Sequence, residues 1–242
     1  MHVGKITDES ISIVMITLNE EAAIGKVVND IHSLYPEAEI VVVDSGTDRT
    51  AEIATALNCK VVKQYPPQGY GPAMHQAFVS ASRDWIITMD CDATYPVAAI
   101  EQLLKKINEG YDLVSASRLG KRPDNMPAEN YLANWLFAFF ARIICGVIST
   151  DVHTGMRAYS RAVLEHFPYN PRGMALPVEL QVGPASIGYK CTEIFIDYHP
   201  RIGESKLQRI AGTIWTIKRL WRWRFFLNKE RTQLTEKLKT QT

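Results

Sequence analysis

The sequence predicts a single α/β domain, a mostly parallel central sheet flanked by helices, followed by an amphipathic helical appendage. Three observations lead there. Short apolar runs alternate with helical patterns through the first half of the chain, which is the signature of strands and helices layered on such a sheet. The 242 residues, 46% apolar and 22% charged, are enough to bury one large core. The formal net charge of +1 is uneven: residues 206–229 hold seven Lys or Arg and no acid, leaving the remainder near −6. The division falls after Lys206, with residues 1–206 as the domain and 207–242 as a basic, aromatic, amphipathic helix and polar tail.

The first strand is read at Ile11–Thr17, and the others at 38–44, Lys60–Lys63, 85–90 and Leu113–Ser117. Helices are read between them at 21–33, 48–57, 73–81 and 96–108, each begun by a capping residue or by an early Pro. The second half is less regular. Residues 130–148 are strongly apolar, 151–161 turn polar, and Gly203-Glu204-Ser205-Lys206 precedes the basic aromatic segment.

Cys59, Cys91, Cys145 and Cys191 lie far apart with no C-x-x-C pair, so neither a zinc site nor a disulfide framework is expected, and a reducing cytosol is the simplest setting. The segment MHVGKITDES carries two acids where a secretory signal needs a basic stretch and an apolar run, so export is not expected.

In open α/β sheets ligands gather where the strands end, which directs attention to Asn19 and Glu20, to 44–48 and to 90–94. No Gly-x-Gly-x-x-Gly follows the first strand, against a Rossmann dinucleotide site. Gly69-Tyr70-Gly71 precedes a helix and reads equally as a turn or as a place of close ligand approach. Asp90-Cys91-Asp92 is the sharpest feature: two carboxylates two apart converge on one divalent cation if the chain leaves the regular strand there. The competing reading has one aspartate capping the helix near Pro96 and the other solvated. Asp44 suits a base or ribose hydroxyl, and Asp48 an N-cap. His153 reads as a hydrogen-bonded loop histidine, and Cys91 as a small packing residue.

Taken together, Thr17-Leu18-Asn19-Glu20, Val42-Val43-Asp44-Ser45-Gly46, Gly69-Tyr70-Gly71 and Asp90-Cys91-Asp92 run in an order and spacing that resembles family 2 glycosyltransferases of the GT-A fold. Ser117-Arg118, Asp151-Val152-His153-Thr154-Gly155-Met156-Arg157 and Arg201-Ile202-Gly203-Glu204-Ser205-Lys206-Leu207 narrow this to a branch. They look like the dolichol-phosphate mannosyltransferases and polyprenyl-phosphate glucosyltransferases, over about residues 10–210. No Gln-x-x-Arg-Trp of the processive synthases occurs. Five positions depart from the pattern: Ile16 and Leu18 replace the usual Pro and Tyr, Ser45 a second Asp, Thr94 a frequent metal-contacting Gln, and Asn130 a common Ser.

The resemblance implies an inverting transfer of a hexose, mannose or glucose, from GDP-mannose or UDP-glucose to a polyprenyl (dolichyl) phosphate, with Mg²⁺ or Mn²⁺ as cofactor. It implies metal contacts at Asp90, Asp92 and Thr94, and donor contacts at Thr17, Asn19, Glu20, Asp44, Gly71 and Asp90. The acceptor phosphate falls to Arg118, Asn130, Arg157, Arg201 and Lys206, and catalysis to Asp92, Arg118, Arg201 and Lys206. A phosphate nucleophile is already dianionic near neutral pH and needs cationic orientation more than a base. Two alternatives keep the fold. One is a soluble sugar or protein hydroxyl acceptor with Glu179 as base, and the other a non-catalytic binding subunit.

Trp215, Trp221, Trp223, Phe225 and Phe226 sit beside aliphatics at helical spacing among the basic residues, a mixture that favours an anionic membrane surface over nucleic acid. Leu207, Ile210, Ala211, Ile214, Ile217, Trp221 and Phe225 form the expected apolar stripe, with Arg209, Arg219 and Arg224 outside it for headgroups. Tyr131 to Ile148 supplies 18 residues but includes Asn134 and Arg142, so a surface helix is expected rather than a span. The expected location is peripheral, on the cytoplasmic face of a membrane, with or without a separate tethering subunit.

Overall fold

The computed structural model describes residues 5–124, 126–173, 175–203 and 209–226. Seven strands form one sheet: β1 (Ile11–Thr17), β2 (Glu39–Asp44), β3 (Lys60–Lys63), β4 (Trp85–Thr88), β5 (Leu113–Ser117), β6 (Arg157–Ser160) and β7 (Cys191–Phe195), in the order β3-β2-β1-β4-β6-β5-β7. Only β6 runs antiparallel, between β4 and β5. The helices are α1 (Glu21–Leu34), α2 (Thr50–Ala56), α3 (Tyr70–Ser80), α4 (Ile100–Asn108), α5 (Ala128–Cys145), α6 (Arg161–His166), α7 (Leu176–Ile187) and α8 (Arg209–Trp221), which continues into a π turn, Arg222–Phe226.

Both faces of the sheet are covered, so its inner strands read as unbroken apolar runs. Along β1, Ile11, Ile13 and Met15 pack on one face with Ile24, Val28 and Ile31 of α1 and Leu103 of α4. Val14, facing the other way, packs with Met74 and Phe78 of α3 and with α7. Chain order turns at β1: the strand after it goes to one side and β4 to the other. The crevice at such a reversal is where an α/β sheet binds its ligands.

Boundary differences from the sequence reading have local causes. The strand expected to run to Asp90 ends at Thr88, where β6 stops pairing with it. The chain therefore leaves the strand before the two aspartates, the condition for their converging. The helix expected at Ala73 begins at Tyr70, with Pro72 tolerated in its first turn, where its missing N–H costs nothing. Helix α4 starts at Ile100 after a 3-10 turn, Val97–Ala99. Asp48 sits one residue outside the N-cap of α2. Its Oδ1 accepts from the Thr50 N–H at 3.0 Å and its Oδ2 from the Glu21 N–H at 3.0 Å, tying the start of α1 to that of α2.

The appendage differs most from expectation. Helix α8 turns Thr216, Arg219 and Leu220 inward and leaves Ile214, Trp215, Ile217 and Trp221 exposed. Arg219, expected to face headgroups, is only 3% exposed because it pairs with the buried Glu179. Trp223 is buried as well and stacks on Phe167 at 4.9 Å. Helix α5 packs against α8, with the Cys145 thiol donating to the Leu220 carbonyl at 3.7 Å. It buries little beyond Ala138 and Ala141, leaving Leu132, Trp135, Phe139, Phe140 and Ile143 exposed, and ends at Gly146 in the left-handed conformation (φ 72°). No helix among the described residues is long and apolar enough to cross a membrane. Leu207, and the tail beyond Phe226, lie outside the described residues.

Gly183 of α7 is required by packing. A Cβ there would stand 1.9 Å from the Phe167 ring, which is itself pinned by Trp223. Gly183→Ala is expected to cost about 1–3 kcal/mol through overpacking, read as a lowered urea midpoint at unchanged slope.

Candidate active site

The site lies at the C-terminal ends of β1, β2 and β4 and is closed by loops leading into β6 and out of β7. After β4 the backbone turns through Ala93 at φ 60°. Asp92, 2% exposed, accepts from Thr94 N–H at 3.0 Å and Thr94 Oγ at 2.6 Å on one carboxylate oxygen. Its second oxygen touches the Arg201 guanidinium without a hydrogen bond of good geometry among the described residues. The Ile202 N–H donates to the Asp92 carbonyl at 2.9 Å and the His199 N–H to the Thr94 carbonyl at 2.9 Å, which fastens the 198–203 loop over the acid pair.

Asp90 is crowded by backbone. A Cβ at Gly155 would lie 2.8 Å from one of its oxygens, which is why the loop before β6 carries glycine there. Burial first, then repulsion from Asp92, pushes the Asp90 carboxyl up to about 6, although Arg118 and Arg201 pull the other way. Glu20 adds further negative charge. This is an acid cluster short of positive charge.

Arg118 follows β5. Its Nε and Nη2 grip Asp151 at 2.7 and 2.9 Å, and its backbone N–H adds a third bond at 3.2 Å. The guanidinium lies 5.3 Å from the centre of the Tyr198 ring. Burial opposes charge on both partners. The mutual attraction outweighs it, holding Asp151 below the usual carboxylate range and Arg118 above its own. Nε and Nη2 are thus committed to Asp151. His153 donates its backbone N–H to Asp151 at 3.2 Å, and its Nε2 bonds Thr216 Oγ of α8 at 2.9 Å. Burial lowers its pKa to about 4, so the ring is neutral, matching a structural loop histidine.

At the ends of β1 and β2, Asp44 is fully buried. It accepts from Thr17 Oγ at 2.8 Å and the Gly46 N–H at 3.2 Å, and pairs with Lys63. Thr17 thus acts by holding Asp44. Asn19, at φ 56°, accepts the Thr47 N–H at 2.9 Å on its side-chain oxygen, and a Cβ at Gly46 would collide with it at 2.6 Å. Gly71 is explained by the 169–173 loop of the same chain, since a Cβ there would stand 1.8 Å from the Pro171 carbonyl oxygen.

The fold brings together Asn19, Glu20, Asp44, Asp90, Asp92, Thr94, Arg118 and Arg201. Three expected positions are corrected. Arg157 is 1% exposed and donates to the Pro177 and Val152 carbonyls at 2.7 and 2.8 Å, so it braces the core instead of facing solvent. Glu179 has no exposed surface and is paired with Arg219, so it is not placed as a base. Thr94, also buried, orients Asp92 with its hydroxyl. Asn130 lies in the first turn of α5, and Lys206 lies outside the described residues. Sequence reasoning missed Lys63, Tyr198 and the anchoring role of Asp151. Only Asp151 carried a signal, as the first residue of the Asp151–Arg157 motif.

A sheet of this order, with an acid pair beyond β4 and arginines facing it, defines a GT-A glycosyltransferase. The chain belongs to glycosyl transferase family 2, whose model matches residues 12–167. It is 41% identical over 207 residues to a dolichyl-phosphate hexose transferase of Haloferax volcanii, covering 85% of this chain and 90% of that protein. A polyprenol monophosphomannose synthase of Mycolicibacterium smegmatis is 26% identical over 216 residues, covering 81% and 80%. These relatives match the branch expected from Ser117-Arg118 and the later motifs. Among solved structures, glucosyl-3-phosphoglycerate synthase from Mycobacterium tuberculosis, in complex with Mn²⁺, UDP and phosphoglyceric acid, superposes with a TM-score of 0.72. At 22% identity over 89% of this chain and 78% of that one, it shows a shared fold.

Asp151→Asn would leave Arg118 buried without its partner and should cost about 3 kcal/mol in urea unfolding. The folded carboxyl titrates below its unfolded value, so its contribution is complete above about pH 4 and is lost as pH falls through the lower folded value. The wild type should therefore lose stability over that acid window and the variant less so.

Proposed function

We propose that this chain is an inverting, metal-dependent hexosyltransferase that moves mannose or glucose from GDP-mannose or UDP-glucose to a polyprenyl phosphate. It works at an anionic membrane surface, on the cytoplasmic face. The observation that carries this reading is the closeness of the Arg118–Asp151 pair to two helices with exposed apolar residues. Phe137 of α5 packs on His153 at 5.0 Å and Thr216 of α8 bonds it, so both helices lie within a few residues of Asp151 and hence of Arg118.

Asp90 and Asp92 fit a hard divalent cation, Mg²⁺ or Mn²⁺: they supply carboxylate oxygens only, one with a raised pKa and one buried oxygen without a directed hydrogen bond. Held there, the cation would neutralise charge on the departing nucleoside diphosphate. The remaining work belongs to side chains. Asn19, Glu20 and the Asp44–Gly46 turn frame the donor nucleotide. Arg118 directs Nη1 at the acceptor phosphate, and Arg201 keeps a second positive charge beside the acid pair. Two anions that repel in water are thereby held in line, which is positioning and electrostatics rather than proton transfer. The buried, paired Glu179 gives no support to a soluble hydroxyl acceptor.

The exposed aromatic and aliphatic residues of α5 and α8, with Lys218 exposed beside them, suit insertion at an anionic headgroup layer. A separate tethering subunit is the alternative anchor.

Labelled GDP-mannose or UDP-glucose incubated with a polyprenyl phosphate should yield labelled lipid, abolished by chelator. No labelled lipid with any common donor would contradict the reading. Asp92→Asn should reduce turnover by about 100-fold without loss of fold. Anionic liposomes should carry the protein upward on flotation at low salt, and replacing both Ile217 and Trp221 by Ser should weaken that association. Unchanged flotation of the variant would remove α8 from the docking surface.

A further inference from the structure

Glu179 and Arg219 are spent neither on chemistry nor on the surface. Their side chains are 0% and 4% exposed, and a pair so buried repays little of its desolvation as net stability, so another use for it is worth seeking. Arg219 Nη1 donates to Glu179 at 2.6 Å, while Nη2 donates to the Asn170 carbonyl at 2.9 Å and to the Arg172 carbonyl. Glu179 in turn accepts the Asn170 N–H at 3.1 Å. The Trp215 ring closes on Gly173, where a Cβ would lie 2.9 Å away. Helix α8 therefore grips the 169–173 loop by its backbone.

The far side of that loop grips α3. Tyr169 bonds His75 at 2.8 Å and packs edge-on against Phe78, and the Pro171 carbonyl fills the space beside Gly71. Tyr70, in the same turn, lines a small cavity together with Gly155, the residue pressed against Asp90. A continuous set of contacts thus runs from α8, through the loop, to the turn next to the acid pair.

We infer that the Glu179–Arg219 pair is a positioning element: seating α8 through this pair clamps the 169–173 loop, which fixes the first turn of α3 against the donor side of the site. The inference rests on reading Asp90 and Asp92 as the donor-diphosphate side. Because α8 also carries the exposed apolar face, its seating and donor binding are mechanically linked.

The test uses Glu179→Leu/Arg219→Met, which removes both charges together and so avoids stranding one of them. The double variant should keep its stability, while the amides of Ala73 and Met74 exchange hydrogen faster. Its calorimetric affinity for GDP and for UDP, each with Mn²⁺, should fall about tenfold against the wild type. Arg219→Lys retains the charge but lacks the second nitrogen for the loop carbonyls; it should show an intermediate loss, and it carries the test if the double variant does not fold. Unchanged exchange would overturn the clamp, and faster exchange with unchanged affinity would overturn its link to the donor. A wild type that binds neither nucleotide would overturn the donor reading and this inference with it.

Discussion

Repulsion between Asp90 and Asp92 is the constraint around which the site is built. Two carboxylates withdrawn from water cannot both ionise without positive charge nearby, and the protein supplies that charge incompletely. Arg201 touches Asp92 from the loop after β7, and Arg118 approaches from the end of β5. Strand β6, antiparallel between β4 and β5, makes this meeting possible, since the loop leading into it carries Asp151 to hold Arg118 and Gly155 to admit Asp90. The one reversed strand in the sheet is thus the strand that assembles the charges.

The same loop reaches the outer helices. His153 joins Asp151 to Thr216 of α8 and meets Phe137 of α5, so the helical pair is tied through Asp151 to Arg118. Helix α8 mixes polar and apolar residues on its inner side, where Thr216 and Arg219 face the domain beside Leu220, while Ile214, Ile217 and Trp221 face out. A domain that only needed to cover its core would not leave three large apolar side chains on the outer side.

The first half of the fold was legible because each of its strands is an apolar run followed by a polar cluster, and each helix carries one apolar face. Helix α7 was not, because Val178, Leu180, Val182 and Ile187 are buried together with Glu179, Gln181 and Gly183, so no period separates an inside from an outside. Strand β6 is four residues long and holds the buried Arg157, which the resemblance assigned to the acceptor phosphate. The site followed the same division. Asp90, Asp92, Asp44 and Asn19 announce themselves by standing at strand ends, and Arg118 and Arg201 came through family resemblance. Arg157, Glu179 and Arg219 were misassigned because a charged side chain carries no mark of whether its partner is a ligand, a backbone carbonyl or another buried charge. Lys63 and Tyr198 act through contacts set only by the tertiary fold.

Among the described residues no group of three or more His, Cys, Asp or Glu side chains is placed to hold a metal by itself, and one of the two available carboxylates is already engaged by Arg201. On the proposed reading, a cation held by Asp90 and Asp92 would share its shell with the oxygens of the donor diphosphate, as Mg²⁺ and Mn²⁺ commonly do. The most direct measurement is the affinity of the wild type for Mn²⁺, by electron paramagnetic resonance, with and without GDP or UDP. Weak binding alone, tightened about tenfold or more by one of the nucleotides and abolished in Asp92→Asn, is the predicted result. Mn²⁺ affinity that is indifferent to both nucleotides, or retained in Asp92→Asn, would contradict a donor site centred on this acid pair.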